Sequence, residues 1–298
     1  MPQLESFSDL LAAAEESRKP LDAIFLEQEA EERDLPAERV FEIFLDRWSI
    51  MKDSVRRGLA GGKSFSGLVG GDARKVIEFT RDGDIAGGRL VARAIAYSIA
   101  VLEENSRMGI IVAAPTAGAA GMVPGTLLAI SEERGLSDVE TARGLVVAGG
   151  FGALVAAKAE LSGAAGGCQA EQGVGAAMAA GALAFLLGGT PAMSVHAAAL
   201  TLQNTLGLAC DPVAGLVEVP CVRIEIDVIA EVEVFDRKRA TVDDQRIEHG
   251  GLRVVLAEHR EIGEQRGLAV DALSVEAVAE PRGRAVRARD AIGIVARD

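Results

Sequence analysis

The chain has 298 residues, of which 49% are apolar and only 4% aromatic, and its formal net charge is −13. An acidic chain repels phosphate backbones and anionic lipids, which disfavours nucleic-acid binding and peripheral membrane attachment. Residues 1–18 hold no apolar run of the kind that directs secretion, so a cytoplasmic protein with reduced thiols is expected. With 34 glycines and many alanines, the core must be filled by many closely packed helices. We therefore expect a mainly α, all-helical fold.

The first 60 residues place apolar side chains at helical spacing. Leu35-Pro36 opens a longer amphipathic helix, whose apolar stripe from Val40 to Met51 is predicted to face the core. Residues 58–72 contain six glycines, too many for a regular helix or strand, and are predicted to form a loop. The helical pattern resumes over residues 88–105.

Residues 108–125 combine an apolar start with a broken second half. The start fits either a short strand or the end of a buried helix. Pro115 and Pro124, together with several glycines, then predict an irregular loop. Helices are predicted after this loop, near residues 126–134 and over residues 138–160.

Residues 172–209 contain no Asp, Glu, Lys or Arg, a composition that membrane helices share. Gly188-Gly-Thr-Pro191 divides the run into two segments, and the first, residues 174–187, is short for a membrane span. Flanking Lys or Arg residues that would orient a span are absent. Two buried helices are favoured, and a small-residue-rich membrane hairpin is the alternative.

The three cysteines, Cys168, Cys210 and Cys221, each lie beside glycine or proline, and none belongs to a Cys-x-x-Cys pair. This spacing excludes zinc ribbons and thioredoxin-like motifs. Three thiolates suit an iron–sulfur cluster with one iron left without a protein ligand, and such an iron can act as a Lewis acid. The alternative is a structural subunit whose three thiols only pack in the core.

Longer segments around these cysteines resemble the alpha chain of the iron–sulfur L-serine dehydratases. The similar segments are residues 63–72, residues 105–125 with Ala-Pro-Thr-Ala-Gly at their centre, residues 162–171 around Cys168, and residues 203–223 with Cys210 and Cys221. Glu27-Gln-Glu29 is similar as well. The resemblance covers residues 1–223, and long contiguous motifs are more specific than any short pattern.

The resemblance implies that Cys168, Cys210 and Cys221 are the ligands of a [4Fe–4S] cluster, with no pyridoxal phosphate. The reaction implied is the conversion of L-serine to pyruvate and ammonia, and threonine stays open as a related substrate. It also implies a separate beta (regulatory) chain and an oligomer. Neither nucleic acid nor a membrane is expected as a partner.

The same resemblance favours a set of substrate-binding residues in the loops. They are Ser64, Ser66, Thr116, Gly118 and Asn204. The two loops can equally be tight turns between helices, and Asn204 can be a buried capping amide. Lys63 is the candidate base, since a desolvated lysine loses its proton readily, although a solvated loop charge is the alternative. His196, inside an apolar helix, is interpreted as a core residue.

The resemblance stops after Arg223, where the composition also changes. Residues 224–298 hold 28 charged residues among 75, against 47 among the preceding 223, and clean helical periodicity disappears. We interpret residues 1–223 as the catalytic domain and residues 224–298 as an atypical charged tail. A shifted reading frame would produce such a switch, and a genuinely divergent end is the alternative.

Overall fold

The computed structural model describes residues 4–82, 87–205 and 293–295, and all of them belong to one compact unit. Ten helices and two short strands make up this part of the chain. The elements are α1 (Phe7–Ser17), α2 (Leu21–Arg33), α3 (Ala37–Leu59), α4 (Asp72–Asp82), α5 (Gly88–Ser106), β1 (Ile111–Ala113), α6 (Met122–Arg134), α7 (Asp138–Ala156), α8 (Gly163–Gly166), α9 (Cys168–Leu186), α10 (Pro191–Asn204) and β2 (Gly293–Val295).

The mainly α prediction is confirmed, with one two-stranded ribbon as an exception to a wholly helical chain. Strand β1 occupies the apolar start of residues 108–125, where sequence left strand and helix end open. It pairs antiparallel with β2, in the register that sets Val112 opposite Ile294. Strand β1 is buried and leads directly into the proline- and glycine-rich loop.

Helix α3 contributes to the two larger apolar clusters of the described fold. Trp48 and Met51 pack in the larger cluster, which also contains Phe151 of α7 and much of α9. Val55, one to two turns on, packs in a second cluster with residues of α4 and α5. The stripe predicted from Val40 to Met51 is therefore core, as expected.

Small residues allow the buried helices to approach closely. A Cβ at Gly58 of α3 would lie 2.0 Å from the carbonyl oxygen of Ala100 in α5. A Cβ at Gly181 of α9 would lie 2.1 Å from the ring of Phe151 in α7. These contacts explain why a chain with few aromatics needs glycine inside its helices.

Local capping sets the starts of the long helices. Ser137 accepts a hydrogen bond from the backbone N–H of Glu140, and the Glu140 side chain accepts from the backbone of Ser137, which completes a capping box for α7. Thr190 caps α10 in the same way, with Pro191 at its first position.

The charge-free segment forms two helices, α9 and α10, that pack against each other and, through α9, against α6 and α7. Within the described ranges, only α7 is long and apolar enough to cross a membrane by length and composition. Of the relevant part of α7, 72% is buried inside the fold, as in the core helix of a globular protein. Helix α9 begins at Cys168, earlier than the predicted residue 174.

Candidate active site

Cys168 is the first residue of α9 and follows a short glycine-rich turn. Ser162 caps the single-turn helix α8, and Gly167, with φ of 85°, lets the chain reverse into α9. The Cys168 side chain is half-buried, and a Cβ at Gly167 would meet no atom of the described residues within 4 Å apart from its chain neighbours. A thiol at a helix N-terminus is readily deprotonated, because the helix dipole favours negative charge there. This position therefore suits a thiolate metal ligand with open space beside it.

The loop between β1 and α6, residues 114–121, lies against the first turns of α9. We call it the threonine loop. The Gln172 side chain donates from Nε2 to the carbonyl of Gly118 at 2.9 Å. A Cβ at Gly175 would come within 2.9 Å of Ala119, so the helix and the loop are in close contact. The threonine and cysteine motifs, far apart in sequence, are thus brought together.

Glu171 connects the two motifs directly. The Thr116 hydroxyl donates to the Glu171 carboxylate. The same carboxylate lies close to two glycines, since a Cβ at Gly118 would be 2.6 Å from its Oε2 and a Cβ at Gly163 would be 2.4 Å from it. Glycine at both positions therefore leaves room for the carboxylate between the threonine loop and the turn before Cys168.

The next residue, Gln172, has a side-chain oxygen for which the described residues provide no hydrogen-bond partner. Gln172 is only 2% exposed, and its Oε1 is buried without a hydrogen bond. The bond from Nε2 to the Gly118 carbonyl fixes the orientation of the amide, so the unpaired atom is the acceptor. A buried acceptor left unpaired costs about 1–3 kcal/mol, which makes this atom a place where a donor would bind.

A second loop, residues 62–71, presents the predicted serines and is called the serine loop. Ser64 is buried, its Oγ lies 3.2 Å from the Oγ of Ser66, and it accepts from the backbone N–H of Val69. Phe65, between the two serines, is 98% exposed. The two hydroxyls therefore support the turn and each other, while the tip of the loop faces solvent.

The C-terminal end of α5 holds both loops. Glu103 is fully buried, and its carboxylate accepts from the backbone N–H groups of Gly71, Asp72 and Ala73, at 2.9, 2.7 and 3.3 Å. It therefore caps α4 and anchors the end of the serine loop. Two residues on, Asn105 donates to the carbonyl of Ala117 in the threonine loop at 3.4 Å.

Comparison with known proteins identifies the family of the chain. The family model for the serine dehydratase alpha chain matches residues 16–236. The chain belongs to the serine dehydratase alpha chain family. The match ends a little past the predicted boundary at Arg223.

Relatives of the alpha chain support the same assignment. The probable L-serine dehydratase alpha chain of Bacillus subtilis is 45% identical over 215 residues, 72% of each chain. The L-serine dehydratase alpha chain of Peptoniphilus asaccharolyticus is 42% identical over 154 residues, 52% of this chain and 53% of that one. The L-serine dehydratase of Streptomyces coelicolor is 37% identical over 227 residues, 72% of this chain but 47% of its own length. The chain therefore spans about half the length of the last two.

The predicted site residues of this alpha chain fall into three groups. Glu171, in the first turn of the helix that Cys168 begins, contacts Thr116 and lies against Gly118, and Ser64 and Ser66 share the serine loop. Asn204 is exposed at the end of α10, next to Thr205, whose hydroxyl would be 2.5 Å from a Cβ at Gly173. Cys210 and Cys221 lie outside the described residues, and the part that is described holds no group of three His, Cys, Asp or Glu arranged for a metal.

The structure shows how exposed His196 and Lys63 are. His196 was interpreted as a core residue, and this is wrong: it is exposed on α10 together with Leu200, one turn further on. The helix is apolar but leaves one face outside the fold, which composition alone does not reveal. Lys63 is exposed in the described chain, so the described residues do not supply the desolvation on which its role as a base depends.

Glu103, Asn105 and Gln172 were not singled out from sequence. Each is polar within a largely apolar helix or at its end, and that is the only sequence signal they carry. Glu171 lies in the segment around Cys168 on which the resemblance rests, and its carboxylate accepts from the Thr116 hydroxyl.

Replacing Glu103 with glutamine is expected to lower the free energy of unfolding by about 2 kcal/mol, because hydrogen bonds to a charged group contribute about 1.5–3 kcal/mol. The amide of glutamine would also direct a donor at backbone N–H groups that need an acceptor. Urea unfolding of the full chain measures the change. Glu78→Gln is the control: Glu78 is exposed and pairs only with Arg74 on the same helix, so its loss should cost less than about 0.5 kcal/mol. Equal stability of the two variants would contradict this role for Glu103.

Proposed function

We propose that the chain is the catalytic subunit of an L-serine dehydratase, which converts L-serine to pyruvate and ammonia. The observation that carries the proposal is the convergence at the start of α9, where Cys168, Thr116, Gly118 and Glu171 come together. The relatives named above are L-serine dehydratases or their alpha chains, and this supports the same substrate.

Cys168, Cys210 and Cys221 are proposed to hold a [4Fe–4S] cluster. Cys168 fits this role because it is a half-buried thiol at a helix N-terminus beside a glycine with open space. Helix α10 returns beside α9, so that Thr205 lies against Gly173, about one and a half turns from Cys168. Cys210 is five residues beyond Thr205, a stretch that can span at most about 18 Å, and it is therefore within reach of Cys168.

When bound, such a cluster supplies an iron with an open position, a Lewis acid that lowers the cost of losing the serine β-hydroxyl. The chain's own residues hold the substrate around that position. Thr116 and Gly118 offer a hydroxyl and backbone groups on one side, and Ser64 and Ser66 offer hydroxyls from the serine loop. Asn204, at the end of α10, is proposed as a further substrate contact. The aminoacrylate released by elimination tautomerises and hydrolyses without further help from the protein.

Lys63 is proposed as the base that removes the α-proton. Lys63 is exposed in the described part of the chain, so this role requires that another surface cover the side chain and favour the neutral amine. A separate beta chain is proposed to supply that surface within an oligomer. The Bacillus subtilis and Peptoniphilus asaccharolyticus relatives are named alpha chains, and this supports a separate second chain. A cytoplasmic location is proposed for the assembly.

The domain division stays a proposal as well: residues 1–223 form the catalytic domain, and residues 224–298 are a frame-shifted or divergent tail. Sequencing the coding DNA tests it. A reading frame downstream of codon 223 that encodes a family-like sequence would establish the shift, and its absence would leave a divergent end.

Iron and sulfide analysis of anaerobically purified protein, with a visible spectrum, tests the proposed function. We expect about four irons and four sulfides per chain and a broad absorption band that bleaches in air. L-serine should then yield pyruvate at a rate that falls with the band. No iron after anaerobic reconstitution, for this chain and for a version with a family-like C-terminus, would reject the cluster and favour a purely structural subunit.

A further inference from the structure

The first turn of α9 directs two side chains to one residue of the threonine loop. The Glu171 carboxylate accepts from the Thr116 hydroxyl and would be 2.6 Å from a Cβ at Gly118. The Gln172 amide donates to the Gly118 carbonyl at 2.9 Å. The side chains of Glu171 and Gln172, one helical turn after Cys168, therefore both lie against Gly118.

The side chains of Glu171 and Gln172 can still accept hydrogen bonds beside Gly118. Gln172 Oε1 is buried and accepts none. Ion pairs join many acidic residues within the described ranges, but none of them includes Glu171. Because a carboxylate without a positive partner attracts a cation and an unpaired carbonyl attracts a donor, the ligand that fits both is a cation with N–H groups.

L-serine carries such a group. The open iron position is proposed above for its hydroxyl, and the serine-loop hydroxyls and the threonine-loop backbone are available to its carboxylate, whereas its α-ammonium has no acceptor assigned. An ammonium donates up to three hydrogen bonds and is bound most strongly by a carboxylate. The side chains of residues three apart on a helix are neighbours, about 5–6 Å between Cβ atoms, so Glu171 lies beside Cys168.

We propose that the Glu171 carboxylate and the Gln172 amide oxygen bind the α-ammonium of the substrate. This inference rests on the proposed function and extends it to the recognition of amino acids over simple hydroxy acids. A substrate held at its ammonium, its hydroxyl and its carboxylate is fixed with a single face toward the site. Thr116, which donates to Glu171, orients the carboxylate.

The test compares L-serine with 3-hydroxypropanoate, which lacks only the amino group. The full chain is prepared anaerobically with its beta chain, and the KM for L-serine and the inhibition constant of 3-hydroxypropanoate are measured for the wild type and for Glu171→Gln. Isothermal titration of glycine, which keeps the ammonium and the carboxylate but has no hydroxyl to eliminate, gives a binding constant in the absence of turnover. Glu171→Gln should weaken serine binding by about 10–100-fold, the loss expected for charged hydrogen bonds, and change inhibition by less than about 2-fold. Glu171→Asp, which keeps the charge, should recover part of the loss.

Three results would overturn the ammonium site. The first is unchanged binding of serine to Glu171→Gln, regardless of the inhibition constant of 3-hydroxypropanoate. Equal weakening of both ligands is another, because it would make Glu171 a support for the loop only. A fall in kcat with unchanged serine binding is the third, since it would make Glu171 a proton acceptor. Glu42→Gln, on the exposed face of α3, is the control for loss of charge alone. A wild type without iron and without pyruvate formation would instead reject the proposed function itself.

Discussion

Replacing Cys168 with serine is expected to reduce bound iron to a small fraction of the wild-type content and to lower kcat by about 10³-fold or more. A hydroxyl at this position is a poor ligand for iron, because its deprotonated form is too rare at neutral pH to replace a thiolate. Loss of the Lewis acid removes several kcal/mol of transition-state stabilisation, and each 1.36 kcal/mol corresponds to a factor of ten in rate. Iron analysis and the visible band measure the loss of iron, and pyruvate formation measures the fall in kcat.

A control separates the loss of a ligand from damage to the fold. Ala170→Ser introduces the same side chain two residues further along the first turn of α9, without removing a thiol. This variant should keep its iron and its band. Circular dichroism should report the same helix content for both variants, since the turn before Cys168 is held by Ser162 and by backbone hydrogen bonds. Cys168→Ser protein with full iron content and activity would remove Cys168 from the ligand set.

The sequence predicts the helices best where local signals agree. Helix α3 has a proline at its N-cap and an apolar stripe with helical period, and both its existence and its buried face are confirmed. Helix α7 has the capping box of Ser137 and Glu140, which sets its start, although it ends at Ala156 rather than at residue 160. Helix α4 was not predicted, because its 11 residues follow a glycine-rich loop and seven of them are charged or polar.

The start of α9 illustrates what local patterns cannot supply. Its first turn is polar, so the prediction began the helix at residue 174, where the apolar run becomes regular. Glu171 and Gln172 are polar because they serve the threonine loop, 55 and 54 positions away in the chain. Glu103 likewise serves backbone groups about 30 positions away. Residue types and motifs predict that these loops matter, but only the packing of α5 and α9 reveals which partners meet.

Replacing Gly58 with alanine is expected to lower the free energy of unfolding by about 2 kcal/mol, because overpacking costs about 1–3 kcal/mol. The added Cβ would lie 2.0 Å from the Ala100 oxygen, 2.4 Å from its carbonyl carbon and 2.7 Å from its Cα. All three atoms belong to the backbone of α5, so no side-chain rotation relieves the overlap, and α3 and α5 must move apart. Alanine gains up to about 1 kcal/mol over glycine in a helix interior, which offsets only part of the overpacking cost.

Gly87→Ala provides a matched control, since a Cβ there would contact only Val91, at an ordinary distance of 3.6 Å. Gly87 caps α5 with unstrained backbone angles, so its replacement should cost less than about 1 kcal/mol. Urea midpoints of the two variants and the wild type measure the difference. Separation of α3 from α5 would also displace Glu103 and Asn105, and with them the serine loop and the threonine loop. The activity of Gly58→Ala should therefore decrease by a larger factor than the fraction of molecules that stay folded. Equal midpoints for the two alanine variants would mean that α3 and α5 are not in backbone contact at Gly58, and that α5 does not hold the loops through that contact.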